Sequence, residues 1–233
     1  MLGPLLLMVG MVAGVSPGQE GKPYYQPYQQ ASLDLVYNLL FCDDPALFRP
    51  KAGDAKGVLG VVASESPSVD ELARVAADES VESRLRALAY HRLRQADASV
   101  PKGRLLGVIV EYPLERGLDV LGVFADGRVR YINQTGKLAV FEKLPADLAA
   151  KQKILMKASG AAIRAMGPWD GPRLAPPAAG LVRLTFLVSD GLYFGEGPPA
   201  AIGSDDIGGP VLTAATQLVL AIVDARAKPP ATP

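Results

Sequence analysis

Residues 105–142 read LLGVIVEYPLERGLDVLGVFADGRVRYINQTGKLAVFE, and the rest of the chain is organised around them. Leu105 to Tyr112 is rich in Val, Ile and Leu, and it is expected to end at Pro113, whose missing N–H interrupts a ladder. Leu118 to Ala125 follows, and Asp126-Gly127 tolerates the positive φ of a two-residue hairpin turn. On the return run Arg128 to Asn133, Val129 and Tyr131 are expected to share a face with Leu138 and Val140 of the next strand, with Arg128 and Arg130 opposite. Gln134-Thr135-Gly136 makes a further reversal. The pattern predicts a three-stranded antiparallel meander, a scaffold that carries no reaction motif.

The totals exclude several classes. A chain of 233 residues, 49% apolar and 21% charged, is long enough for a proper core. Its 24 basic and 24 acidic residues cancel without a Lys/Arg block. Phosphate backbones demand clustered positive charge, so nucleic acid is not an expected partner. One cysteine, Cys42, allows neither an internal disulfide nor a thiolate metal site.

Ahead of the meander, Met1 to Val15 is apolar over a length suited to a signal-peptide core and short of a membrane span. It has no leading basic residue and no A-x-A site, so the balance favours the cytoplasm over export through an atypical signal peptide. Gln19 to Gln30 is rich in Pro, Tyr and Gln and reads as a linker, so residues 1–30 are expected to lie outside the folded domain and to be dispensable. Residues 31–227 are expected to form one α+β domain, with a helical part at 31–98 and a sheet-bearing part at 104–227; 228–233 is a Pro-rich tail.

Within the helical part, Leu33, Val36, Tyr37, Leu40 and Phe41 mark an amphipathic helix over 32–43 that stops at Asp44-Pro45. Val58 to Val62 reads as a short strand or buried loop. Ser68 and Glu71 have capping-box spacing, and a second helix start at Ser80 completes a helical hairpin. The stretch ELARVAADESVESRLRALA resembles one unit of a HEAT-type repeat; with no second copy it implies a docked hairpin rather than an array.

Beyond the meander, Pro145 to Met166 reads as a helix closed by Gly167-Pro168. Leu181 to Val188 and Leu192 to Phe194 form a hairpin about Ser189-Asp190-Gly191. Gly195 to Gly209 reads as a long flexible loop, and Pro210 begins a last helix with a broad apolar face. The expected fold is therefore an α+β two-layer sandwich: an antiparallel sheet of about five strands, meander plus hairpin, packed by helices, with an N-terminal helical hairpin. The order of elements is similar to roadblock, profilin-like and GAF-like sheets, a likeness of fold that carries no function.

No constellation spells out a reaction. Cys42 and His91 are the only thiol and imidazole, both on expected helices, with nothing to complete a nucleophile pair or triad. Asp43-Asp44, Asp190 and Asp205-Asp206 would make a hard-cation site if the loops converged, although Asp fills turns and caps helices for ordinary reasons. No cofactor or metal is expected. The leading reading is a non-enzymatic scaffold or protein-interaction domain with a protein partner or a second copy, and no integral membrane segment. A metal-assisted enzyme on the Asp-bearing loops and a ligand-binding sensor are the alternatives. The candidate interaction surface is Asp190, Tyr193, Phe194, Asp205 and Asp206. There a long loop meets a helix start, and two consecutive aromatics must point to opposite faces.

Overall fold

The computed structural model describes residues 24–49 and 57–227. The expectations for Met1 to Val15 and for the 228–233 tail lie outside the described residues. Four helices come first: α1 (Ala31–Leu39), α2 (Gly57–Ala63), α3 (Val69–Ala77) and α4 (Ser83–Gln95). A four-stranded meander follows: β1 (Leu105–Leu114), β2 (Gly117–Phe124), β3 (Val129–Ile132) and β4 (Leu138–Phe141). Then come α5 (Ala146–Arg164), the hairpin β5 (Val182–Val188) and β6 (Gly191–Gly197), α6 (Pro199–Ser204) and α7 (Gly208–Ala227). The strands form one antiparallel sheet in the order β4-β3-β2-β1-β5-β6. The α+β sandwich on an antiparallel sheet is as expected from the sequence, but the sheet has six strands, the meander four rather than three, and helices cover both faces, so the layers are three rather than two.

The sheet carries a hydrophobic core on each face. On one, Leu106, Ile109, Val120, Phe124 and Ile132 pack against α1 to α4; on the other, Val108, Val110, Leu121, Val123 and Val129 pack against α5 and α7. The N-terminal hairpin and the last helices therefore bury opposite faces of the same strands. Alternation explains why β1 reads as an unbroken apolar run. Gly122 lets α1 close down on the sheet, for a Cβ there would stand 3.1 Å from Leu40 Cδ2.

Several local expectations are corrected. Pro113 lies inside β1, because the β1–β5 pairing stops at Glu111↔Arg183 and the strand continues with a partner on one side only. Leu138 and Val140 share a face with Arg130, not with Val129. The register pairs Arg130 with Val140 and Val129 with Phe141, and a one-residue slip exchanges faces. Val58 to Val62 belongs to helix α2, and Ser68 precedes α3 without a side-chain cap bond. The described part of the Pro/Tyr/Gln stretch is no tether. Tyr25 N–H donates to Asn38 Oδ1 at 3.1 Å, Tyr25 OH to the Arg173 carbonyl at 3.0 Å, and Tyr28 OH to the Leu118 carbonyl at 2.9 Å. Tyr25 and Tyr28 make the difference, since each is partly buried against the core and its hydroxyl finds a carbonyl, whereas Tyr24 is exposed.

Candidate functional site

The five residues of the expected interaction surface fall into three places. Asp190 closes the β5–β6 turn, accepting from Gly103 N–H at 3.1 Å and from Tyr193 OH at 3.0 Å. Tyr193 is buried beneath α5 and α7, whereas Phe194 points to the other face and meets Trp169 edge-on at 5.1 Å. Asp205 and Asp206 stand at the α6–α7 junction. Asp205 Oδ1 accepts from Ile207 N–H at 2.9 Å and Gly208 N–H at 2.6 Å, so this carboxylate caps α7. The segment read as a flexible loop is ordered by α6, with Ile202 packed on Gly197 and Gly208. Gly209 is required where the two helices touch: a Cβ there would lie 2.6 Å from the Gly203 carbonyl oxygen.

Asp205 and Asp206 border an open groove of about 540 Å³ between α5 and the start of α7, with Ile154, Pro210, Thr213 and Gln217 on its walls. The groove continues into the outer face of α7, where Thr213, Thr216, Gln217, Leu220 and Val223 are exposed. No charged residue occurs from Gly208 through Val223. Ile154, Leu220 and Val223 are 56%, 58% and 48% exposed. Water-facing helix surfaces ordinarily carry charge, and this one carries uncharged Thr and Gln side chains together with the aliphatic Leu220 and Val223. Among the described residues α7 is also the helix long and apolar enough to cross a membrane, over Gly208–Ala225; its inner face, with Val211, Leu218 and Ile222, packs on the sheet.

A second feature was missed by sequence reasoning. Glu111, Arg183 and Glu196 lie opposite one another on three adjacent strands, β1, β5 and β6, and form a charged row on the α1 side of the sheet. Glu111 is fully buried; its Oε1 accepts from Tyr37 OH at 2.7 Å, and its Oε2 has no hydrogen bond. Arg183 Nε donates to Glu196 Oε2 at 2.7 Å and Nη1 to the Ala175 carbonyl at 2.5 Å. Beside this row Arg173 bonds Asp43 Oδ2 at 2.7 Å and Asn38 Oδ1 at 2.8 Å, and its guanidinium stacks 4.2 Å from the Phe41 ring centre. Burial raises Glu111 to about 7, against the lowering pull of Arg183 and the Tyr37 hydrogen bond. The signal in the sequence was one acid inside LLGVIVEY and one arginine inside VRLTFLV, each in a run otherwise suited to a core.

The row borders a narrow cleft between β6 and the α5–β5 connection, lined by Phe41, Trp169, Leu174, Thr185, Leu192 and Phe194 with the two arginines. Trp169 N–H donates to the Leu192 carbonyl at 2.7 Å, extending the sheet edge by one bridge. Of the other sequence candidates only Asp43 reaches the cleft, through its ion pair with Arg173. The Cys42 sulfur contacts the Leu39 and Leu40 carbonyls, and burial pushes its thiol well above the usual range. His91 lies on α4 with its Nδ1 3.5 Å from Arg94 Nη2. Asp43 pairs with Arg173 while Asp44 caps the following 3-10 turn, so the aspartates do not converge. Among the described residues no group of three His, Cys, Asp or Glu side chains is arranged to hold a metal ion. Compared with protein-family models, curated proteins and solved structures, the chain matches none.

Proposed function

We propose that this chain is a non-catalytic scaffold or protein-interaction domain that receives a protein partner on the outer face of α5 and α7. One observation carries the reading: α7 turns uncharged positions outward for four turns and exposes Leu220 and Val223, with Ile154 of α5 beside the groove. A solvated helix gains nothing from that composition, whereas an interface core is depleted of charge and enriched in apolar side chains. Asp205 and Asp206 give the groove an acidic rim at one end, where a basic group of the partner would set register rather than supply most of the affinity.

The test is a charge placed on this face. Leu220→Lys and Ile154→Lys alter exposed positions, so both variants should keep the wild-type unfolding free energy within about 0.5 kcal/mol. Each should lose self-association, or capture of the protein that the wild type retains, by at least tenfold. Undiminished capture by both variants overturns the reading. Binding to phospholipid vesicles by the wild type, lost in the lysine variants, would replace the protein partner with a membrane surface.

A further inference from the structure

We propose that Glu111 is a proton-operated latch on the cleft beneath Trp169. In its neutral form it leaves Arg183 to hold the α5–β5 connection closed, and on losing its proton it draws one arm of that guanidinium inward and releases the connection.

The geometry isolates a single shared atom. Arg183 Nη1 lies 2.5 Å from the Ala175 carbonyl oxygen and 3.9 Å from Glu111 Oε2. The other two nitrogens of the guanidinium are engaged by Glu196, Nε at 2.7 Å and Nη2 at 2.5 Å, so the side chain can pivot about that pair. Ala175 belongs to the connection whose Trp169 and Leu174 form one wall of the cleft; Leu192 and Phe194 of β6 form the other. A buried carboxyl whose second oxygen lacks a hydrogen bond costs less when protonated than when ionised. The nearest relief for the charge is Nη1, which would leave Ala175 and close the 3.9 Å gap.

The groups facing Glu111 from each packed element favour this exchange. Tyr37 of α1 donates to Oε1 and cannot serve Oε2 at the same time. Arg173, from the connection, lowers the cost of the ionised form from a greater distance, and Glu196 on β6 raises it. Tyr28 of the N-terminal arm lies close enough to feel the Glu111 charge. Burial holds Glu111 near 7, so the exchange falls in the neutral range. Arg173 stays clamped to Asp43 and Asn38 and the Trp169 backbone stays bridged to Leu192, so the part released is that around Leu174 and Ala175, which lines the cleft beside Trp169.

Trp169 is the only tryptophan in the chain, and it reports on the cleft directly. Its emission in the full chain should shift to longer wavelength as pH rises from 5 to 9, with a midpoint near 7. In Glu111→Gln the emission should stay at its low-pH position throughout. His91→Gln should keep the wild-type transition, which excludes the one imidazole as its source. A flat wild-type profile, a transition that survives in Glu111→Gln, or one that vanishes in His91→Gln overturns the latch. If Glu111→Gln does not fold, the side-chain carboxyl carbon of Glu111 is followed by NMR in the wild type. Titration near neutrality together with the tryptophan shift supports the latch, and a Glu111 carbon already ionised at pH 5 refutes it. The cleft and the α7 groove lie on opposite faces of the sheet, so the partner-capture and emission experiments fail independently.

Discussion

Glu111→Gln changes one buried oxygen and should remove most of a pH dependence. The Glu111 carboxyl titrates at about 7 in the fold against an ordinary 4.5, because burial penalises its charged form. Between these values the unfolded chain has released the proton and the folded chain still holds it. Stability therefore falls as pH rises through that window, and the deficit persists above 7. At about 1.4 kcal/mol per pH unit, the rise from 4.5 to about 7 amounts to about 3 kcal/mol. Asp43, also raised by burial, contributes in the same direction to both proteins and drops out of the comparison. Urea denaturation at pH 5 and pH 8 should show the wild type losing about 2 to 3 kcal/mol more than Glu111→Gln across the interval, part of the whole loss having already occurred below pH 5. Equal losses would refute the assignment of Glu111 as the buried proton carrier.

Three further expectations follow from the packing. A chain beginning at Gln30 leaves Asn38 and the Arg173 carbonyl without the partners that Tyr25 provides, and should lose about 3 kcal/mol in equilibrium denaturation; an unchanged midpoint would restore the linker reading of that stretch. Tyr193→Ala, on the face buried beneath α5 and α7, should cost about 3 to 5 kcal/mol, and the half-buried Phe194→Ala clearly less. Asp205→Ala removes both acceptor contacts at the head of α7 and should cost about 1 kcal/mol, read as a lowered thermal midpoint.

The sheet was legible because its punctuation is local. Asp126-Gly127 and Ser189-Asp190-Gly191 announce their turns, and the alternation of Val182, Leu184, Phe186 and Val188 announces a strand with one committed face. The second core was harder to read. A strand covered on both faces loses its polar alternation, so β1 could not reveal that helices lay on each side of it. Helix α6 was hidden by the glycines and prolines around it, and Tyr25 by the company of Gln and Pro. The groove was half legible: Asp205 and Asp206 stood out by position, while Ile154 joins them only through the docking of α5 on α7. The charged row was invisible for a plainer reason. Glu111 is far from the β5–β6 hairpin in sequence, Glu196 lies past Phe194 where the second strand was expected to end, and only the strand order β1-β5-β6 sets the three side by side.

The interaction reading is tested most directly by a photo-crosslinking residue placed at Gln217, on the groove wall and the exposed face of α7, with a matched probe at exposed Lys137 on the opposite edge of the sheet. Irradiation of the full chain in its native cell should give one discrete protein adduct from position 217 and none from 137. That adduct should be abolished by Leu220→Lys in the same chain. A site 217 probe that yields no protein adduct, or the same adducts with and without Leu220→Lys, would contradict the claim that this uncharged face is where the protein works.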